Sequence, residues 1–235
     1  SEAQTIIERY TQPAVSRIMT EGRNPLDVPL RTVPRLVLFT DMVAFSTISD
    51  RLPIEDVAEL VGTYLETCSV TIARHGGEVT KFLGDGVMAY FDLEHVDAAL
   101  QSCVDIHAEL ASIRASAPAT SALHLLYSGF GLSLGPVIEG NMGSSIKMDY
   151  TIIGEPVNTA AKLEALTRTV DRPVLMTSDV IEAAQQRWDI DEVGEFDLGR
   201  NRLMTVHALR NGIGDDSGMR AAVDRGLDAV VGRSS

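Results

Sequence analysis

The chain has 235 residues, of which 45% are hydrophobic and 23% are charged. This apolar content is sufficient for one well-packed core and predicts a single globular domain with terminal extensions. The net charge of -13 argues against a nucleic-acid-binding surface, because phosphate backbones bind clustered lysine and arginine side chains. An anionic substrate would therefore have to bind through metal ions and a few local cations.

Cysteine usage and hydropathy indicate the cellular setting. Cys68 and Cys103 lie within apolar helical patterns and show no metal-ligand spacing, which favours a reducing, cytosolic environment. No apolar stretch approaches the ~20 residues needed to cross a bilayer, and the N-terminus lacks the basic and then apolar pattern of a secretory signal. We therefore expect a cytoplasmic protein without membrane insertion, which could be a piece of a longer chain.

Residues 1–30 predict a linker or signalling helix. Apolar residues recur at helical spacing over 1–20, Pro13 interrupts the pattern, and Gly22 ends it. A surface helix of this kind would be marginal alone, so it is either a connector from an upstream domain, a dimer contact or only a capping element. Residues 23–33 contain prolines and show no periodicity, which predicts a loop.

The rest of the chain alternates between strand and helix patterns. Strands are predicted over 36–41, 78–82, 87–91, 123–134, 137–141, 149–153 and 174–177, a hairpin over 196–209, and helices over 53–74, 96–114 and 156–167. The hairpins imply antiparallel neighbours, so we predict an α+β fold with helices packed on one sheet. Residues 212–235 predict a tail with a short helix over 218–231.

Two aspartates follow strand-like patterns. Asp41 comes directly after an apolar run, and Asp85 lies between Gly84 and Gly86, where a tight turn can use left-handed glycine dihedrals. Two carboxylates at the ends of neighbouring strands could bind hard divalent cations. An aspartate at a strand end is more often a turn or helix cap, so the pair alone leaves both interpretations open.

Three further polar residues favour a phosphate site. Lys81 precedes Asp85 by four residues, which places both side chains on one face if the strand stays regular up to the turn. Asn158 and Lys162 are spaced i, i+4 and share one helical face. The alternatives are a simple ion pair for Lys81 and a solvated helix surface for the other two.

The turn after Asp41 can also point backbone amides at a phosphate chain. This turn contains Phe45 and Ser46.

Over residues 34–210 these segments together resemble the catalytic domain of class III nucleotidyl cyclases, and within that family the cyclase half of blue-light-activated adenylate cyclases. The resemblance is carried by GEVTKFLGD (77–85), LHLLY (123–127), VIEGNMGSS (137–145) and LEALTR (163–168). In addition, YTQPAV (10–15) followed by GRNP (22–25) resembles the helix that leads in from a sensor in that group. It implies a catalytic domain over 31–211 with the ferredoxin-like, palm-type antiparallel sheet sandwiched with helices.

The resemblance also implies roles for single residues. It assigns metal binding to Asp41 and Asp85, substrate binding to Lys81, Thr151, Phe45 and Ser46, and catalysis to Asn158 and Lys162. The aspartates would hold two Mg²⁺ or Mn²⁺ ions, and no organic cofactor is expected in this chain. A lysine and threonine pair suits adenine better than guanine, so ATP is the expected substrate and 3′,5′-cyclic AMP the product.

Members of this family build their sites across a dimer. One subunit would supply the aspartates, and the other would supply Lys81, Thr151 and Asn158. We therefore expect a homodimer, or a pseudo-heterodimer with another cyclase domain, under the control of an upstream light sensor.

Two positions depart from the family pattern. Lys162 stands where the family has an arginine, and an ammonium group lacks the fork that binds phosphate bidentately. Leu198 stands where the family often has a lysine, and Arg200 or Arg202 could compensate. The alternative to a working adenylate cyclase is thus a cyclase-like regulatory or dimerisation half with weak or no turnover.

Overall fold

An eight-stranded sheet forms the centre of the computed structural model, which describes residues 2–213 and 218–232. Its strands are β1 (Arg31–Met42), β2 (Glu78–Leu83), β3 (Gly86–Phe91), β4 (Ser128–Gly143), β5 (Met148–Ile153), β6 (Val174–Thr177), β7 (Ile190–Asp197) and β8 (Leu203–Leu209). The order is β2-β3-β1-β4-β6-β8-β7, and β5 pairs with β4 outside this path. Neighbouring strands of the described sheet run antiparallel, except for the parallel pair β4 and β6.

Helices cover both faces of this sheet. They are α1 (Glu2–Tyr10), α2 (Pro13–Thr20), α3 (Phe45–Arg51), α4 (Ile54–Arg74), α5 (Val96–Ser116), α6 (Glu155–Val170), α7 (Ser178–Ala183) and α8 (Met219–Gly232). Side chains alternate along β1, so Leu36 and Leu38 belong to the main core with α4 and α5, whereas Val37 packs on the other face near Ala160 of α6. This arrangement confirms the predicted α+β fold.

The C-terminal helix is part of the main core. Met219, Val223, Leu227 and Val230 of α8 are buried there. The helix predicted over 218–231 therefore forms at nearly that position and packs against the domain. Residues 214–217 and 233–235 of the predicted tail, and Ser1 of the predicted linker, lie outside the described residues.

Several predicted boundaries were wrong. The two strands predicted over 123–134 and 137–141 are a short 3₁₀ turn, Ala122–Leu125, followed by the single long strand β4. Pro136 does not end β4. It is opposite Pro34 of β1, and at a non-hydrogen-bonded pair of an antiparallel ladder neither proline has to donate an N–H to the other. The predicted loop 23–33 contains a 3₁₀ turn, Pro25–Asp27, and the first residues of β1. Helices α3 and α7 were not predicted.

Cys68 and Cys103 are free and buried in the core. Among the described residues, none of the helices combines the length and the apolar character that a bilayer crossing requires.

Helix α6 lies unusually close to β4. A Cβ atom on Gly131 would lie 2.2 Å from the carbonyl oxygen of Ala160 and 2.4 Å from the amide nitrogen of Glu164. A Cβ on Gly129 would lie 2.5 Å from Oγ1 of Thr167. The two glycines therefore let the backbone of α6 rest directly on the sheet, which fixes the helix that carries several predicted site residues.

We expect Gly131→Ala to lower the free energy of unfolding by roughly 1–3 kcal/mol, because the added methyl meets backbone atoms that cannot move aside. Gly62→Ala is the matched control: Gly62 lies on exposed α4 surface with no atom within 4 Å of the added Cβ, so alanine should stabilise the helix by ~0.5–1 kcal/mol. Urea unfolding of both variants measures the difference. Equal stability of Gly131→Ala and the unmodified chain would contradict the close packing.

Candidate active site

The structure brings Asp41 and Asp85 together. Thr40 of β1 pairs with Val87 of β3, so Asp41 lies level with Gly86 and beside the turn that carries Asp85. A Cβ on Gly86 would lie 2.5 Å from the Thr40 carbonyl oxygen and 3.2 Å from Oδ1 of Asp41. Glycine at this position therefore leaves room for the approach of the two carboxylates.

Negative charge accumulates at this pair. Burial, followed by the hydrogen bond and charge of Asp85 and the charge of Glu164, raises the pKa of Asp41 to about 8, against the opposing effect of Arg168. Burial also raises the pKa of Glu164 to about 7, and the guanidinium of Arg168 again opposes the shift. Nη2 of Arg168 lies 3.2 Å from Oδ2 of Asp41 and 3.2 Å from Oε1 of Glu164. One arginine thus contacts two of the clustered carboxyl groups.

The aspartate pair fits a divalent cation. Oδ2 of Asp85 is buried and has no hydrogen-bond partner among the described residues, so this oxygen is available as a ligand. Carboxylate oxygens are the ligands that Mg²⁺ prefers, and Mg²⁺ is commonly held by one or two carboxylates together with water and substrate phosphates. The described part of the chain contains no group of three or more His, Cys, Asp or Glu side chains arranged around one metal position.

Lys81 and Thr151 lie on two strands that do not pair with each other. Lys81 follows a bulge in β2, and β2 ends at Leu83. Asp85 therefore lies in the turn after the strand. The regular strand from Lys81 to Asp85, on which the predicted alignment of the two side chains depended, is absent. Thr151 is buried in β5, and its hydroxyl has no hydrogen-bond partner among the described residues. An unpaired buried hydroxyl is costly unless a ligand completes it.

Asn158 and Lys162 line a cavity of about 100 Å³ between α6 and the loop that joins β7 to β8. Arg200 and Arg202 from that loop line the same cavity, so it contains three cationic side chains. Leu198 is buried against Leu163 and Val206, and its side chain is therefore a core residue. Arg200 and Arg202 can supply the positive charge that a lysine often supplies at the Leu198 position in the family.

Helix α6 carries two sets of polar residues on different faces. Asn158 and Lys162 face the β7–β8 loop, whereas Glu164 and Arg168 face Asp41. At 3.6 residues per turn the two sets are about 120° apart around the helix axis. Within one chain, the cavity at Lys162 is therefore separate from the aspartate pair.

Phe45 and Ser46 are the first residues of α3, which begins three residues after Met42 at the end of β1. Ala44 precedes them with a φ of 60°, which turns the chain sharply after the strand. The first amides of a helix have no partner within it. The two residues therefore offer backbone donors close to Asp41 in the chain, as the predicted phosphate contact requires.

Sequence reasoning missed Glu164 and Arg168. The available signal was their i, i+4 spacing within the stretch LEALTR, which is typical of an ion pair on a helix. Nothing in the spacing indicated that this pair would face Asp41, 127 residues apart from Arg168 in the chain.

Without divalent cations, we expect Asp41→Asn to raise the melting temperature by a few degrees at pH 8 and above, and to change it little near pH 4. The pKa of Asp41 rises from the ordinary 3.8 to about 8 on folding. The contribution of the Asp41 carboxyl to the free energy of unfolding is complete below pH 3.8. It is lost as the pH rises through about 8, because the folded state must then release a proton from a buried carboxyl.

Thermal melting in a chelating buffer between pH 4 and 9 measures this effect. Asp50→Asn, on the exposed surface of α3, is the control and should follow the unmodified chain across the whole range. An Asp41→Asn profile parallel to that of the unmodified chain would contradict the charge repulsion at the pair.

Comparison with known proteins identifies the family of this chain. The chain is 39% identical to the bacterial light-regulated adenylyl cyclase of known structure, with a TM-score of 0.90 over 96% of this chain and 67% of that one. It is 30% identical over 177 residues to photoactivated adenylate cyclase subunit alpha of Euglena gracilis, which covers 75% of this chain but only 17% of the Euglena protein. The predicted resemblance to light-activated adenylate cyclases is thereby confirmed.

More distant structures share the fold. The adenylyl cyclase CyaB from P. aeruginosa has a TM-score of 0.68 at 23% identity, over 78% of this chain and 96% of that one. The guanylyl cyclase Cya2 has a TM-score of 0.67 at 21% identity, over 80% and 96%. Residues 32–211 match the family described as "Adenylate and Guanylate cyclase catalytic domain". Because this match covers most of the chain, the protein belongs to the family of adenylate and guanylate cyclase catalytic domains.

Proposed function

We propose that the chain converts ATP to 3′,5′-cyclic AMP and pyrophosphate at a site shared by two cyclase domains. The observation that carries this proposal is the division of polar residues on α6. Glu164 and Arg168 belong to the aspartate pair, and Asn158 and Lys162 belong to a separate cationic cavity. Each is half of a phosphoryl-transfer site, so a second subunit has to bring the complementary half.

The choice of ATP rests on side chains, because adenylyl and guanylyl cyclases share this fold. Lys81 provides a donor that suits the N1 acceptor of adenine. The unpaired hydroxyl of Thr151 can accept a hydrogen bond from the 6-amino group. Guanine presents a donor at N1 and an oxygen at C6, so the same pair would leave it poorly matched. The relatives named adenylate cyclase support this choice.

In this proposal Asp41 and Asp85 hold Mg²⁺ or Mn²⁺, two ions per site. When bound, these ions supply Lewis-acid activation of the ribose 3′-hydroxyl and neutralise charge on the triphosphate. Asn158 of the partner subunit orients the ribose for in-line attack on the α-phosphorus. The partner's Lys162 offsets the charge that develops on the phosphate oxygens as pyrophosphate leaves.

An upstream light sensor is proposed to control the activity. The support is the resemblance to a bacterial light-regulated adenylyl cyclase, which covers 96% of this chain and so extends beyond residues 31–211. Residues 1–30 would form the connection to that sensor, and residues 31–211 the catalytic domain. A cytoplasmic location, where ATP and Mg²⁺ are available, fits this substrate.

Complementation between two inactive variants tests the shared site. Asp41→Ala and Asn158→Ala should each abolish cyclic AMP formation with Mn²⁺ and ATP. Heterodimers purified with two different affinity tags should regain up to about half of the original activity, because one of the two sites then receives an intact half from each subunit. Failure of the mixed dimer to regain activity, while the unmodified dimer is active, would contradict the division of the site between subunits.

We expect Lys162→Arg to raise kcat about tenfold, which corresponds to ~1.4 kcal/mol of transition-state stabilisation. The guanidinium can bind a phosphate through two parallel hydrogen bonds, whereas the ammonium acts as a single point charge. Lys162→Gln removes the charge and should lower kcat below that of the unmodified chain. Steady-state assays on dimers measure both effects, and an unchanged kcat in Lys162→Arg would show that this position does not limit the chemistry.

The regulatory alternative predicts a different result. If the unmodified dimer makes no cyclic AMP with Mn²⁺ at high ATP concentration, the chain is a regulatory or dimerisation half. The features that favour this alternative are Lys162 in place of the family's arginine and Leu198 in place of a lysine.

A further inference from the structure

The side chain of Gln12 connects two strands that lie far apart in the sheet. Its Nε2 donates to the carbonyl oxygens of Thr80 in β2 and Tyr150 in β5, each at 2.9 Å. Its Oε1 accepts from the amide of Tyr150 at 2.8 Å. Strands β2 and β5 are separated by β3, β1 and β4, so the sheet itself gives no direct link between them.

On the β2 side, Gln12 contacts an irregular position. Val79 pairs with Ala89 and Lys81 pairs with Met88, so Thr80 is the extra residue of a bulge. A bulge changes the direction of the side chains that follow it, and the next residue is Lys81. The hydrogen bond from Gln12 holds the backbone at the point where the direction of Lys81 is set.

On the β5 side, Gln12 contacts the free edge of the strand. β5 pairs with β4 and with no other strand of the described sheet, and Gln12 occupies both the N–H and the carbonyl of Tyr150 on its open side. The next residue is Thr151, whose buried hydroxyl is unpaired. One side chain therefore fixes the backbone directly before Lys81 and directly before Thr151.

Gln12 itself is held firmly. It is the N-cap of α2, it precedes Pro13, which restricts its backbone, and its carbonyl accepts from the Ser16 amide at 3.0 Å. Helix α2 packs on the Tyr150 ring through Ala14 and Ile18. Any displacement of α2 would therefore be transmitted to the two hydrogen-bonded strands.

We propose that Gln12 is a positioning residue that sets the distance and orientation between Lys81 and Thr151, and thereby the preference for adenine. This inference rests on the proposed function, in which these two residues read the base. It gives the N-terminal linker a direct effect on substrate affinity.

Gln12→Ala in the full chain tests the inference. We expect the Kd for a fluorescent ATP analogue to rise about tenfold, the preference for the ATP over the matching GTP analogue to fall about tenfold, and KM for ATP to change more than kcat. A role limited to anchoring α2 would leave the preference between the two nucleotides unchanged.

Gln12→Glu separates the two sides of the contact. It keeps an acceptor for the Tyr150 amide but removes both donors, so hydrogen exchange at Tyr150 should stay slow while nucleotide preference is lost. In Gln12→Ala the same amide should exchange faster. If Gln12→Ala does not fold, the nucleotide preference of Gln12→Glu decides. Gln4→Ala is the matched control, because Gln4 hydrogen-bonds Glu8 of its own helix, and it should retain both affinities.

Two negative outcomes are distinguishable. Unchanged affinity and preference in both Gln12 variants, in a chain that makes cyclic AMP, would overturn this inference alone. An unmodified chain that neither binds nor cyclises ATP would overturn the proposed function and this inference with it.

Discussion

The direct contact between the backbone of α6 and β4 is the constraint on which the candidate site depends. Because Gly129 and Gly131 carry no Cβ, the backbone of the helix can rest directly on the sheet. That position places Glu164 and Arg168 beside Asp41 and leaves Asn158 and Lys162 toward the β7–β8 loop. A helix held by bulkier residues would stand farther from the sheet and separate both sets from their partners. Packing thus fixes both halves of the site together.

Electrostatic repulsion is concentrated where catalysis is proposed. Asp41 and Glu164 both have raised pKa values because they are buried near other carboxyl groups, and Arg168 compensates only part of the charge. A divalent cation would relieve the repulsion and would compete with Arg168 for Asp41. The arginine therefore acts as a counter-ion for the folded chain in the absence of metal. Local stability is therefore lowered at the position that is proposed to bind divalent cations.

The sequence predicted the parts of the site that depend on local pattern. Apolar runs placed Asp41 and Asp85 at strand ends and helical spacing placed Asn158 and Lys162 on one face, whereas the proposed roles of these residues came from the family resemblance. The contacts of Arg168 and Gln12 could not be predicted, because they join residues 127, 68 and 138 positions apart through the fold. The burial of Leu198 in the core beside the cavity that Arg200 and Arg202 line also depends on the fold and could not be predicted.

The charge distribution bears on the roles proposed for metal ions and for Gln12. A net charge of -13 repels a triphosphate at long range, so binding has to rely on contacts formed inside the site. The cationic cavity contains Lys162, Arg200 and Arg202, but Arg200 is partly neutralised by Glu155 at 3.5 Å. Few free cations remain for the nucleotide. In the proposed function, affinity therefore comes largely from the divalent ions at the aspartate pair and from the base contacts, and the proposed placement of Lys81 and Thr151 by Gln12 acts on the second of these.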